Sequence, residues 1–353
     1  MPAFPWPDKY MDVKQNTLFL TTPGLYVSRE NLTLRIEQDR EIKLIIPIHH
    51  LESVCIFGPM IITPEALRLC FEHGVGVNHF SETGYFIGRW EGVPNTSVTL
   101  RRSQYRAADD LAKSAVIAKH CIAGKIQNAR QSLLRSAREN SDESESGRLQ
   151  RCAEELSGVL RRLQVTQDID QIRGHEGQAA RIYFGIFDLH LKQQRDDFHF
   201  KERSRRPPRD EVNCLLSFIY ALLLHDCIAA LTATGLDPYV GYLHEDRSNR
   251  PGLALDLMEE FRPALADRLA MTMINRKQIG KSDFLRREGG AVEFTDNGRK
   301  SVLTAWQTRK QDLLTHPVLE QECRLGQVFL IQARILARHL RGDIPEYLSC
   351  VFK

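Results

Sequence analysis

The chain has 353 residues, 42% of them hydrophobic and 26% charged, a composition that excludes a disordered or fibrous protein and a length that favours two cores over one. The net charge of +3 is too small for nucleic-acid binding to be argued from the total. Eight cysteines lie scattered without a Cys-x-x-Cys pair, which excludes a zinc ribbon or thioredoxin-like motif and leaves reduced thiols as the default.

The opening Met1-Pro2-Ala3-Phe4-Pro5-Trp6-Pro7 lacks the basic and apolar regions of a secretory signal. No uninterrupted apolar run approaches the roughly 18 to 20 residues of a membrane span, so a cytoplasmic protein with no membrane contact is expected. Residues 17–93 read as short strands: 25–27, 32–36, 43–47 and 51–56 are β-branched or alternating, with Asp39 and Gly58-Pro59 as punctuation. Thr63-Pro64 supplies an N-cap and a first helical residue for a helix running to His73 and ending at Gly74. Strand pattern returns over 75–80 and 85–90, around Gly84.

From Gln104 the period lengthens, with Tyr105, Ala108, Leu111, Ala112, Ala115 and Val116 recurring three or four apart as in a helix. The polar run from Ser141 to Gly147 predicts a mobile loop between two long helices. A helix is expected over 212–234, with Leu215, Leu216, Ile219, Leu222 and Leu223 as its buried face and Gly235 at its end. Gly289-Gly290 marks a small hairpin within 288–295. The class is α+β: a small β-rich domain over 1–100, then a larger, mostly α-helical domain over 101–353.

Three groups in the second half stand out as candidate metal ligands. Glu176 lies in Gly174-His175-Glu176-Gly177 and is placed at a helix start, where the dipole favours a carboxylate. His244 follows a turn built on Gly235, Pro238 and Gly241 that can aim an imidazole. Glu259 stands three residues after Asp256 on an apolar helix that also carries Glu260, so two carboxylates share a face where a cation would relieve their repulsion. Two carboxylates and one imidazole suit a hard divalent ion, Mg²⁺ or Mn²⁺, and such sites usually act on phosphate esters. Each group alone has a plainer reading: a first-turn acid, a structural histidine, a solvated acidic face.

Basic residues concentrate in 192–209, where Lys192, Arg195, Lys201, Arg203, Arg205, Arg206 and Arg209 form either a phosphate-binding strip or a solvated loop closed by Pro207-Pro208. Arg247, Arg250 and Arg262 flank the candidate ligands, and Arg262 could grip a phosphate with two prongs. His225-Asp226 resembles the dipeptide of helical metal-dependent phosphohydrolases but has no second histidine cluster to complete a two-metal site. His49-His50 reads as a strand-end pair.

Four segments then carry a family resemblance: 174–177 with 179–184, 213–217 with 220–222, 235–244, and 255–263. Together they resemble the CRISPR-associated endonuclease and integrase that installs new spacers, the universal CRISPR adaptation nuclease family, over nearly the whole chain. The resemblance implies that Glu176, His244 and Glu259 are the catalytic metal ligands, with Asp256 as a nearby second carboxylate. Together with the local concentration of basic residues, this leads us to expect DNA or phosphate contacts at Arg181, Arg205, Arg206, Arg247 and Arg262. The resemblance further implies a homodimer formed through the β-rich domain, a small ferredoxin-like partner protein in a heterohexamer-type complex, and double-stranded DNA as substrate. The alternative in another class is a non-catalytic DNA-binding scaffold of the adaptation complex.

Overall fold

The structure is a computed structural model that describes residues 17–81, 86–90, 92 and 98–352. The opening heptapeptide, Gly84 and Tyr85 lie outside the described residues. The chain divides into two compact units: Met1–Asn95 with Gln307–Leu314 and Cys323–Gln327, and Thr96–Trp306 with Thr315–Glu322 and Val328–Lys353. Two short segments beyond residue 300 thus return to the first unit.

The first unit contains β1 (Thr17–Leu20), β2 (Tyr26–Glu30), β3 (Thr33–Gln38), β4 (Glu41–Pro47), β5 (Ser53–Phe57), β6 (Ile61–Ile62), α1 (Pro64–Glu72), β7 (Gly76–Phe80) and β8 (Phe86–Trp90). One sheet has the order β1-β5-β7-β8, with β1, β5 and β7 parallel and β8 antiparallel at the edge. The other has the order β4-β3-β2-β6. Every residue of β5 is buried, as suits a strand with partners on both sides, whereas β3 alternates and sends Leu34 and Ile36 inward with Val27. Thr63 caps α1 by accepting from Ala66 N at 3.2 Å, and Gly74 past its end has φ +69°. Ile42, Leu44 and Ile45 on the edge strand β4 remain exposed, as do Tyr26 on β2 and Ile61 on β6 at the other side of the sheet.

The second unit is built on α2 (Val98–Asp109), α3 (Leu111–Arg138), α4 (Glu143–Val165), α5 (Ile169–Gly185), α6 (Glu211–Thr234), α7 (Gly252–Glu259) and α8 (Arg268–Asn275), with one π-helical turn, Arg262–Asp267, before α8. The hairpin of β9 (Phe284–Arg286) and β10 (Val292–Phe294) turns through Gly289 and Gly290, both at positive φ, as the glycine pair predicts. Then come α9 (Asp296–Lys310), β11 (Leu313–Thr315), β12 (Glu322–Arg324) and α10 (Val328–Arg341).

Two expectations need correction, and a third is met. The polar run 141–147 is not a loop: Asp142 accepts from Glu145 N at 2.9 Å and caps α4, and Glu143 and Glu145 fill its first turn. Acidic residues there complement the helix dipole, so polarity marked a helix start. Glu176 is not at a helix start, because α5 begins at Ile169 under the Asp168 cap and runs through both Gly174 and Gly177. The helix expected over 212–234 is α6, with Leu215, Leu216, Ile219, Leu222 and Leu223 buried; burial extends over most of its circumference, and it ends at Gly235 with φ +86°. By length and composition it could cross a bilayer, yet 67% of its most apolar window is buried within the protein, the pattern of a core helix.

Candidate active site

The site begins with a turn clasped by one carboxylate. Gln104, fully buried on α2, binds Asp237 O at 2.8 Å, Val240 O at 3.0 Å and Asp237 N at 2.9 Å, and so holds the connection after Gly235. Asp256 on α7, fully buried, takes the end of that connection: its Oδ2 accepts from Tyr242 N at 2.6 Å and Leu243 N at 2.9 Å. Its Oδ1 accepts from His244 N at 3.1 Å and from His244 Nδ1 at 2.6 Å. Close approach of turn and helix requires two glycines. A Cβ on Gly241 would stand 2.7 Å from the Gly252 carbonyl carbon and 2.9 Å from Asp256 Oδ2, and one on Gly252 would stand 2.8 Å from Tyr239 O.

A carboxylate can only accept, so Nδ1 of His244 is the donor in this contact and the ring is oriented by it. With four donors on its two oxygens, Asp256 orients the imidazole and is not left bare beside Glu259. The repulsion expected between Asp256 and Glu259 is therefore relieved at Asp256 by hydrogen bonds.

The other two candidate ligands meet at a residue that the sequence reading passed over. Lys125 on α3 donates to Glu176 Oε1 from α5, and its Nζ lies 2.7 Å from Glu259 Oε2 at the end of α7. Arg262 Nη1 approaches Glu259 Oε1 at 3.2 Å while its guanidinium sits over the Tyr220 ring, 5.0 Å from the centroid. Burial alone would raise the Glu259 carboxyl, but the charges of Arg262, Lys125 and His244 outweigh it and hold the group at about 2. Glu259 is therefore ionised at neutral pH.

Glu260 faces elsewhere: Tyr347 Oη donates to its Oε1, and Cys350 N at 2.7 Å and Gln332 Nε2 at 3.0 Å donate to its Oε2. The three acids of this segment thus serve the histidine turn, the cation between α3 and α5, and the C-terminal segment.

Among the described residues no three His, Cys, Asp or Glu side chains stand close enough to form a ready metal cage, and the Lys125 ammonium contacts both glutamates. The donor set nevertheless fits a hard divalent ion. Glu259 is buried and ionised, with Oε2 2.7 Å from Lys125, Glu176 is partly exposed, and Nδ1 of His244 is taken by Asp256, so Nε2 is the ring nitrogen that could meet a metal. A cavity of about 420 Å³ opens beside His244, lined among others by Tyr105, Arg173, Tyr242 and Glu245.

Of the arginines singled out in the sequence, Arg262 alone joins this cluster, with its charge engaged by Glu259 and Tyr220. Arg181, Arg205 and Arg206 are exposed and make no ion pair among the described residues, and exposed Arg247 pairs with Glu245 at 3.6 Å. Within the basic strip, Arg203 turns inward to Asn213 Oδ1 at 2.6 Å, Ser217 Oγ at 3.1 Å and the Tyr220 ring. Asp226 accepts from Trp306 Nε1 at 2.9 Å and His225 is buried in α6, as a structural reading of that dipeptide requires. Lys125 could have been found by its position: Cys121, Ile122, Asn128 and Ala129 around it on α3 are all buried, and a lysine on a buried helix face needs a counter-charge.

A two-unit α+β fold with paired carboxylates and an oriented imidazole in its helical unit defines the class: a protein with a site suited to phosphate-ester chemistry. The family model for CRISPR associated protein Cas1 matches residues 18–308, and the chain belongs to that family. It is 47% identical to CRISPR-associated endonuclease Cas1 1 of Moorella thermoacetica, over 97% of this chain and 100% of that protein. It is 43% identical to the protein of the same name from Chlorobaculum tepidum, over 96% and 98%. Among solved structures, a CAS1 protein from Thermotoga maritima shares the fold at TM-score 0.80 and 23% identity, covering 96% of this chain and 100% of that one. A Cas6-RT-Cas1--Cas2 complex matches at 0.81 and 24%, covering 96% of this chain and 36% of that one. A casposase bound to integration product matches at 0.80 and 22%, covering 94% and 92%.

Proposed function

We propose that this member of the Cas1 family is a metal-dependent DNA endonuclease and integrase. It inserts spacer DNA into a CRISPR array by attack of DNA 3′-hydroxyls on phosphodiesters, and it cleaves DNA when water is the nucleophile. The observation that carries this reading is that two glutamates gather on one cation while the helix that ends in Glu259 also orients the His244 imidazole through Asp256, with His244 acting electrostatically on Glu259. Family membership with relatives named endonucleases supports it.

Glu176, Glu259 and Nε2 of His244 would hold Mg²⁺ or Mn²⁺, which when bound polarises the scissile phosphodiester and helps to form the nucleophile. Asp256 keeps the imidazole in the tautomer that leaves Nε2 available, and Arg262 sets the direction of Glu259. Arg181, Arg205, Arg206 and Arg247, exposed and without strong partners, are placed on phosphates of double-stranded DNA, where they position the duplex without reading its sequence. The exposed apolar residues Tyr26, Ile42, Leu44, Ile45 and Ile61 suit a homodimer through the β-rich unit. The complex matched in fold pairs Cas1 with Cas2, and a small ferredoxin-like protein is the corresponding partner here, in a heterohexamer-type assembly. All eight cysteines are free and seven are buried, which accords with work in the reducing cytoplasm.

The test is strand transfer by the purified protein, with and without its partner, on branched DNA that mimics a half-integrated spacer, in Mn²⁺, Mg²⁺ or EDTA. Metal-dependent rejoining that His244→Ala abolishes, with DNA affinity retained, is the expected result. Binding without turnover in either metal would favour the scaffold reading.

A further inference from the structure

We infer that Lys125 is a built-in counter-cation whose ammonium occupies the place the divalent ion needs, so that metal loading must displace it. The inference rests on the metal-site reading of Glu176, His244 and Glu259 and deepens it.

Three observations lead there. Lys125 reaches Glu176 and Glu259 at once, and these come from α5 and from the end of α7, so one ammonium is shared by two carboxylates that no other cation among the described residues bridges. The lysine side chain is 12% exposed and that of Glu259 4%, so the pair is largely out of water and the contact is not a screened surface bridge. Finally, Nζ lies 2.7 Å from Glu259 Oε2, so the ammonium takes up a ligand direction of this oxygen as well as neutralising its charge.

A Mg²⁺ or Mn²⁺ ion bound by both glutamates would have its centre about 2.0 to 2.2 Å from their oxygens, within the volume that Nζ fills. Two cations cannot share that volume, since their repulsion is strong at such a separation in a poorly hydrated site. Lys125 therefore competes with the metal, and the observed metal affinity is the intrinsic affinity scaled by the fraction of molecules whose lysine has moved out. Its four-carbon stem and rotatable ammonium suit a group that must leave. The same contact keeps the ionised Glu259 compensated while the protein carries no metal.

The experiment measures Mn²⁺ binding to the full chain by titration calorimetry and by the paramagnetic signal of free Mn²⁺, alongside thermal melting with and without the ion. It compares wild type, Lys125→Met, Lys125→Gln and Glu176→Gln. Expected are a Kd for Mn²⁺ at least tenfold lower in both lysine variants, a lower melting temperature for them without metal, and a larger upward shift on adding Mn²⁺. A purely structural lysine would give the opposite, weaker binding. Unchanged or weaker binding in both lysine variants, with wild type still binding and Glu176→Gln impaired, overturns the counter-cation and leaves the metal site standing. No difference between wild type and Glu176→Gln overturns the metal site and the counter-cation with it. The two uncharged replacements differ in polarity, so the test survives if one of them fails to fold.

Discussion

Asp256 Oδ1 accepts the Nδ1 hydrogen of His244 at 2.6 Å while both Asp256 oxygens hold the backbone N–H groups of residues 242–244. One buried carboxylate therefore sets the backbone of the histidine turn and the tautomer of the ring together. In Asp256→Asn the amide group presents hydrogens where the turn needs an acceptor, and Nδ1 loses the partner that holds its proton. Strand transfer should fall roughly 10- to 100-fold, the range for groups that orient a metal ligand, with DNA affinity nearly unchanged. Nitrogen chemical shifts of His244 would report the tautomer directly. Retention of the Nδ1–H form with full activity would remove Asp256 from this role.

Gly241→Ala tests the close approach of turn and helix. Its new methyl would be 2.7 Å from the Gly252 carbonyl carbon and 2.9 Å from Asp256 Oδ2, and both neighbours are held in place. The structure must shift, at a cost of roughly 1–3 kcal/mol in unfolding free energy. Activity should drop more than stability implies, because the shift falls on the group that aims His244. A denaturant titration beside a rate measurement separates the two effects.

Much of this arrangement is readable in the sequence, and what is not has a physical reason. Thr63-Pro64, Gly74, Gly235 and Gly289-Gly290 mark true ends and turns because cap and turn chemistry is local. Glu176 was misplaced because two glycines imitate a helix boundary, whereas the real cap, Asp168, lies eight residues earlier. The run 141–147 was misread because polarity alone does not separate a solvated loop from a capped helix start. Lys125 and Gln104 carry no motif at all. Each acts across more than fifty residues of sequence, on Glu176 and Glu259 or on 237–240, and such pairings come from the packing of α2, α3, α5 and α7.

The α4 cap gives a prediction confined to stability. Asp142→Ala removes the acceptor for Glu145 N and a negative charge at the dipole's positive end. About 1 kcal/mol should be lost from unfolding free energy, with strand transfer unchanged. If 141–147 behaved as a loop, the substitution would be silent.

Buried histidines predict acid sensitivity. His316 is fully buried, its Nδ1 accepts from Val318 N and Leu319 N, both at 3.3 Å, and burial holds its pKa at about 4. An unfolded histidine titrates near 6.5, so between pH 6.5 and 4 the unfolded chain binds a proton that the folded chain refuses. The unfolded state is then favoured as pH falls, and stability from this group is lost on acidification through that window. His316→Asn keeps an acceptor for the same two N–H groups and cannot titrate. Its unfolding free energy should fall less steeply than wild type between pH 6.5 and 5, whatever its absolute value at pH 7.

Two kinds of arginine should separate when DNA binding is measured against salt. Arg205 and Arg206 are exposed without ion-pair partners among the described residues, so each is free to displace a counterion from a duplex phosphate. Alanine at either should weaken binding to all sequences alike and reduce the slope of log affinity against log salt by about 1. Arg262 is 14% exposed and held between Glu259 and the Tyr220 ring. Arg262→Ala should leave the salt slope intact, because that charge already has a partner inside the protein. It should instead depress turnover, since Glu259 loses the neighbour that sets its direction and helps to keep it ionised. A reduced salt slope in Arg262→Ala would put this guanidinium on the DNA, and the ion pair with Glu259 would then be a resting state broken by substrate.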